Sequence, residues 1–181
     1  MKRTLLIIGI IITLSGFATA GDFMFELKAY YFSPSEQAFR DIYGGGIAYG
    51  AEASIGVWEE LEVWFGGSYF TREGELTFTK EITTLEILPL GAGVKYRLTS
   101  GSLSFYIGLG LNYYQYKEKN PIGDVSEGGL GYIGKIGSYV NVTDGLLIDL
   151  YVNYSYCKIK PADFDINIGG IEAGVGVGYR F

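Results

Sequence analysis

Apolar and polar positions alternate with a period of two in eight separate runs along this chain, and the last run shows what the others share. From 168 to 181 one series reads Ile171, Ala173, Val175, Val177, Tyr179, Phe181, and the other reads Glu172, Gly174, Gly176, Gly178, Arg180. A period of two over this length predicts a β-strand with one apolar face and one small or polar face. Such a strand needs its edge paired and its apolar face covered. A closed barrel does the first, and a lipid bilayer does the second.

The seven earlier runs cover 23–32, 43–57, 61–72, 82–98, 103–117, 128–142 and 146–157. The fifth is the most regular, with Leu103, Phe105, Ile107, Leu109, Leu111 and Tyr113 set against Ser104, Tyr106, Gly108, Gly110, Asn112 and Tyr114. Pro89, inside the fourth run, removes a ladder donor and predicts a local bulge. Beyond residue 20 the sequence holds no run of 18 consecutive apolar residues, so an ordinary membrane helix is excluded.

Connections alternate between short and long. Short ones fall at 58–60, 99–102 and 143–145, and long polar ones at 33–42, 73–81, 118–127 and 158–167. All long loops therefore lie at one end of an eight-stranded antiparallel barrel of up-and-down meander order, the asymmetry of outer-membrane barrels. Aromatics on the apolar face agree with this arrangement. Tyr31, Tyr43, Tyr69, Tyr113, Tyr132 and Tyr156 fall where strands meet long loops, and Phe23, Phe25, Tyr96, Phe105, Tyr179 and Phe181 fall toward the short turns. Two aromatic belts separated by aliphatic residues are expected of a lipid-facing wall, which makes the barrel transmembrane. A soluble barrel of lipocalin type would need polar outward faces, whereas the opposite faces here are crowded with glycine.

The opposite faces then point into the lumen. They carry Glu26, Glu52, Glu62, Asp149 and Glu172 against Lys28, Lys95, Arg97, Lys135 and Arg180, a set that can neutralise itself. An eight-stranded barrel is just wide enough inside for side chains to fill, so a plugged lumen is expected.

Residues 1–20 read as a secretory signal peptide: Lys2 and Arg3, a short apolar stretch, then Ala18-Thr19-Ala20. Cleavage after Ala20 leaves 21–181 as a single barrel domain, and the formal charge moves from −6 to −8 with the loss of Lys2 and Arg3. An acidic exported protein is a poor partner for nucleic acid. Cys157 is the only cysteine, which precludes an intramolecular disulfide. The absence of histidine removes a Ser-His-Asp triad and the usual metal sites, so neither an enzyme nor a cofactor is expected. Glu73, Glu75 and Glu81 share a loop, and Asp41, Asp124, Glu127, Asp163 and Asp165 are loop acids that could bridge divalent cations to lipopolysaccharide, without an EF-hand spacing.

The alternating final strand with Tyr179 and a last Phe181 resembles the ending of bacterial outer-membrane barrels, and the whole exported chain resembles the OmpX/Ail and OmpA-barrel families in architecture. That resemblance implies a Gram-negative outer-membrane location, outer-membrane lipid, lipopolysaccharide, periplasmic chaperones and the barrel-assembly machinery as partners, Tyr179 and Phe181 as an assembly signal, and a monomer. It stops at the fold for the lipid A deacylase and palmitoyltransferase barrels, which rely on a catalytic histidine. The expected role is structural or surface-interacting, through four extracellular loops. The alternative is a narrow porin-like channel, or an OmpW-type transporter of small molecules, hydrophobic ones included.

Overall fold

The computed structural model describes residues 22–75, 82–121, 123–160 and 165–181. The expected signal peptide, Glu81 and Asp163 lie outside the described residues. Eight long strands carry the fold: β1 (Phe23–Pro34), β2 (Gly46–Trp58), β3 (Leu61–Glu75), β4 (Ile82–Ser100), β5 (Leu103–Asn120), β6 (Gly123–Asn141), β7 (Leu146–Tyr156) and, after the two-residue strands β8 (Lys158–Ile159) and β9 (Ile166–Asn167), β10 (Gly170–Arg180). A short helix, α1 (Gln37–Tyr43), lies between β1 and β2.

The long strands form a closed antiparallel barrel in meander order, with β10 returning to pair with β1. Closure pairs Phe25 with Tyr179 and Leu27 with Val177, so apolar residues meet on the outer face and both edges of the sheet are removed. At one end, Glu59 and Glu60 join β2 to β3, and Gly101 and Ser102 join β4 to β5. Gly101 turns with φ 62° and Gly145, before β7, with φ 90°, a region that favours glycine. Both tight turns close the barrel at its short-loop end.

The outer wall between the belts is aliphatic and exposed, as at Leu109 (68%), Ile107 and Val177. An apolar band of this extent on a protein surface marks a nonaqueous environment. The alternate positions are buried in the lumen. Toward the long-loop end the lumen is apolar, with Phe32 edge-on to Phe70 at 5.1 Å beside Leu85, Ile87 and Tyr114.

Three expectations change. Tyr43 is not a belt residue on a strand. It ends α1, 6% exposed, with its ring 5.3 Å from that of Phe39 and its hydroxyl 3.2 Å from Thr83 Oγ1. Phe39 and Tyr43 are four residues apart, which on a helix places both on one face, here the face packed into the lumen mouth. Burial raises the Tyr43 phenol, which stays a neutral hydroxyl.

Second, 118–127 is not a long loop. β5 and β6 stay paired from Leu103↔Val140 to Asn120↔Gly123, so this hairpin runs well past Tyr113. Strands of 18 and 19 residues exceed the ~9–11 needed to cross a bilayer, and the excess projects beyond the tyrosine belt. In the same way Glu73 and Glu75 sit in β3 rather than in a loop, Glu73 opposite Thr84. Third, Pro89 makes no bulge. Its register is the same on either side, Gly67↔Leu90 and Phe70↔Ile87, with the β3 ladder interrupted between them, while Pro89 pairs with Tyr114 on β5. The register shift lies in β2 instead, between Gly56 and Trp58.

Candidate functional site

The lumen holds the chemistry. Register places Glu26 directly opposite Glu52, an unfavourable cross-strand pair on its own. Two lysines resolve it. Lys28 lies 3.4 Å from Glu26, 3.4 Å from Glu52 and 3.2 Å from Asp149, and Lys95 donates to Glu52 at 2.9 Å while lying 3.5 Å from Glu26. Lys135 also donates to Glu52, so one carboxylate serves three ammonium groups. All six side chains are at most 8% exposed.

Below this knot, toward the short turns, Arg97 Nε stands 2.7 Å from Glu62, which Arg180 reaches at 3.9 Å and Lys95 at 3.8 Å. Arg97 also faces Asp22 at 3.5 Å, at the rim. Above it, Glu172 accepts from Asn153 at 2.9 Å. The ten lumen charges thus occupy one column, with Arg180 partly exposed at its end, nine tied by ion pairs and Glu172 held by an amide.

Aromatic residues complete the column. Lys95 donates to the Tyr139 hydroxyl at 2.6 Å, which donates to Glu26 at 3.2 Å, and the Tyr106 hydroxyl donates to Asp149 at 3.1 Å. Lys135 sits 3.5 Å from the centre of the Trp64 ring, a cation–π contact, and Lys28 sits 4.7 Å over Tyr151. None of these rings stood among the candidate site residues, although each occupies an inward position of its run. Glycine makes the space: a Cβ on Gly110 would stand 2.3 Å from Trp64, and one on Gly108 2.9 Å from Lys95. The glycine-rich inward face is therefore the complement of a few large side chains.

On the outer wall, Tyr31, Tyr69, Tyr113 and Tyr132 are about half exposed and Tyr156 stacks on Tyr132 at 5.2 Å; Tyr49 and Tyr154 extend the same belt. Tyr179 and Phe181 are exposed near the short turns, 4.9 Å apart edge-on, with Phe181 5.6 Å from Phe23. Among the described residues no three acids or cysteines are grouped to hold a metal ion. Asp165 pairs instead with Lys158 at 3.7 Å and Lys160 at 3.5 Å. Cys157 is buried and unpaired.

No family model and no curated protein matches the chain. Solved structures do. The outer membrane protein OprG from Pseudomonas aeruginosa superposes with a TM-score of 0.71 at 17% identity, covering 90% of this chain and 96% of that one. Neisserial surface protein A gives 0.68 at 16%, covering 88% and 97%. Ail, the attachment invasion locus protein of Yersinia pestis, solved with the heparin analogue sucrose octasulfate, gives 0.55 at 17%, covering 89% and 99%. At these identities the likeness establishes the fold: an eight-stranded antiparallel barrel of the outer-membrane type.

Proposed function

We propose that this chain is an integral outer-membrane protein that acts through its extracellular side and conducts no solute. The observation that carries this reading is the closed lumen. Lys95, Glu26 and Asp149 are fully buried at its centre, each tied into the ion-pair knot, in a barrel narrow enough for side chains to close off at that level. A continuous water path would have to break several of these pairs at once. The aromatic packing above the knot, closed by Phe39 and Tyr43 of α1, also opposes a transport route for apolar molecules.

That leaves the projecting β5–β6 hairpin, α1 and the other outer connections as free surface. Lipopolysaccharide and outer-leaflet lipid are the partners that the tyrosine belt suits, since Tyr presents an apolar body and a polar tip to a membrane interface. Refolded protein added to planar bilayers is expected to give a flat current trace. Stepwise, voltage-independent conductance would overturn the sealed lumen.

The reading includes Tyr179 and Phe181 as an assembly signal. Among the described aromatic rings Phe181 touches Phe23 and Tyr179, and it is 72% exposed, so its two ring contacts are together worth about 1–3 kcal/mol. Deleting Phe181 is expected to lower refolded stability by no more than that while reducing outer-membrane yield in cells several-fold. Parallel losses in both measurements would assign it a packing role alone.

A further inference from the structure

The lumen's five acids and five bases balance in number but not in pairing. Glu26, Glu52 and Asp149 share Lys28, Lys95 and Lys135, three acids against three bases. Glu62 is held by Arg97 and Arg180. Glu172, 6% exposed, makes no ion pair among the described residues. Register explains the omission. Asn153 pairs with Lys135 on one side and Glu172 on the other, so an amide stands between that acid and its nearest strand-borne base.

Asn153 meets only part of the need. Its Nδ2 donates to Glu172 Oε2 at 2.9 Å, which leaves its own Oδ1 buried without a partner among the described residues. The Tyr151 hydroxyl is likewise buried and finds none among them. Glu172, Asn153 and Tyr151 line one chamber of about 50 Å³ between the ionic knot and the aromatic packing, room for a few water-sized occupants. The other charged or titratable groups facing it are Lys28 and Tyr30 on β1, Glu52 on β2 and Lys135 on β6, with Tyr114 of β5 close above. Both ammonium groups are already turned to Glu52. A lone carboxylate in such a place is costly, and two unpaired polar atoms beside it add to the cost.

We propose that this chamber binds one unit of positive charge against Glu172. The shared chemistry is a single monovalent cation, and it has two sources. A proton on Glu172 would let its O–H donate to Asn153 Oδ1, closing a ring of two hydrogen bonds between acid and amide. A sodium-sized ion would take Glu172, Asn153 Oδ1 and Tyr151 Oη as oxygen ligands. Either source neutralises the acid and gives the orphaned amide oxygen a partner.

Two arms of one experiment separate the sources, using the barrel refolded in liposomes at neutral pH. In the proton arm, the infrared spectrum shows the carbonyl stretch of a neutral carboxylic acid, and Glu172→Gln removes it. In the sodium arm, the unfolding constant in urea falls up to tenfold for each tenfold rise in sodium, with choline holding ionic strength constant, and Glu172→Gln makes it flat. Gln at 172 can accept from Asn153 Nδ2 and donate to its Oδ1, so in sodium-free buffer it should refold with a midpoint at or above that of the parent. If Glu172→Gln fails to refold, Asn153→Ala serves: it keeps the acid, and is expected to shift the infrared band or to weaken sodium dependence at least tenfold. A spectrum without the acid band, together with an unfolding constant indifferent to sodium, overturns the proposal.

Discussion

Leu109→Arg is expected to destabilise the barrel refolded in lipid by about 2–4 kcal/mol, against ~0–1 kcal/mol for Leu103→Arg. The difference follows from depth. Leu109 stands on the outer face of β5, 68% exposed, midway between Phe105 and Tyr113 of the two belts. Leu103 opens the same strand beside the Gly101 turn. An arginine near the bilayer midplane has no water to reach, whereas one at the interface extends its guanidinium into the headgroups. Urea titrations of both variants in liposomes decide the matter. Equal losses would mean that this face does not meet hydrocarbon, and the whole outward series would be misassigned.

Loss of Glu52 is expected to be as damaging from the inside. Glu52→Leu removes the carboxylate shared by Lys28, Lys95 and Lys135, leaving three buried ammonium groups with Glu26 and Asp149. Breaking a buried pair by removing one partner costs about 3–5 kcal/mol, because the remaining charge stays desolvated. The exposed pair of Asp165 with Lys158 supplies the control, since surface ion pairs are worth only ~0–1 kcal/mol. Tryptophan fluorescence suits the measurement, with Trp64 lying under Lys135 inside the network. A loss for Glu52→Leu no greater than that for Asp165→Ala would show that water, not lysine, solvates this carboxylate.

Most of the barrel was legible because both of its solvents leave marks on a strand. Hydrocarbon outside and a packed lumen inside force opposite characters on successive residues, so runs such as 103–113 declare strand, face and partner solvent together. The mark changes where hydrocarbon gives way to water on the outside. Beyond Tyr113 the outer face of the β5–β6 hairpin carries Gln115, Lys117 and Lys119 in place of apolar residues, although Tyr114 and Tyr116 stay buried on the inner face and the backbone ladder continues to Asn120↔Gly123. Tyr43 misled for a related reason. It stands in phase with Ile47 and Tyr49, yet the preceding Phe39, four residues back, carries the helical spacing that α1 obeys. Pro89 showed the limit of a local rule, since losing one ladder donor cost an interruption rather than a change of register.

The candidate site was legible as a list of charges but not as a wiring. Inward positions of the runs contain Glu26, Lys28, Glu52 and Lys95, yet which base meets which acid depends on shear and side-chain reach across the lumen. Lys135 illustrates this, crossing from β6 to Glu52 on β2. The tyrosine hydroxyls and Trp64 sit in the same inward positions, and the glycines facing them were the available clue, since a small residue opposite a large one signals filled space.

Electrophoretic mobility before and after boiling tests most directly whether a closed, lipid-facing barrel exists. A ring of eight strands with every backbone ladder shared has no edge for detergent to open, so the folded form resists SDS. Protein refolded in detergent micelles and loaded without heating is expected to run faster than the boiled sample, as a compact band that boiling converts fully. A single mobility under both conditions, from protein that stays soluble when detergent is withdrawn, would contradict the account.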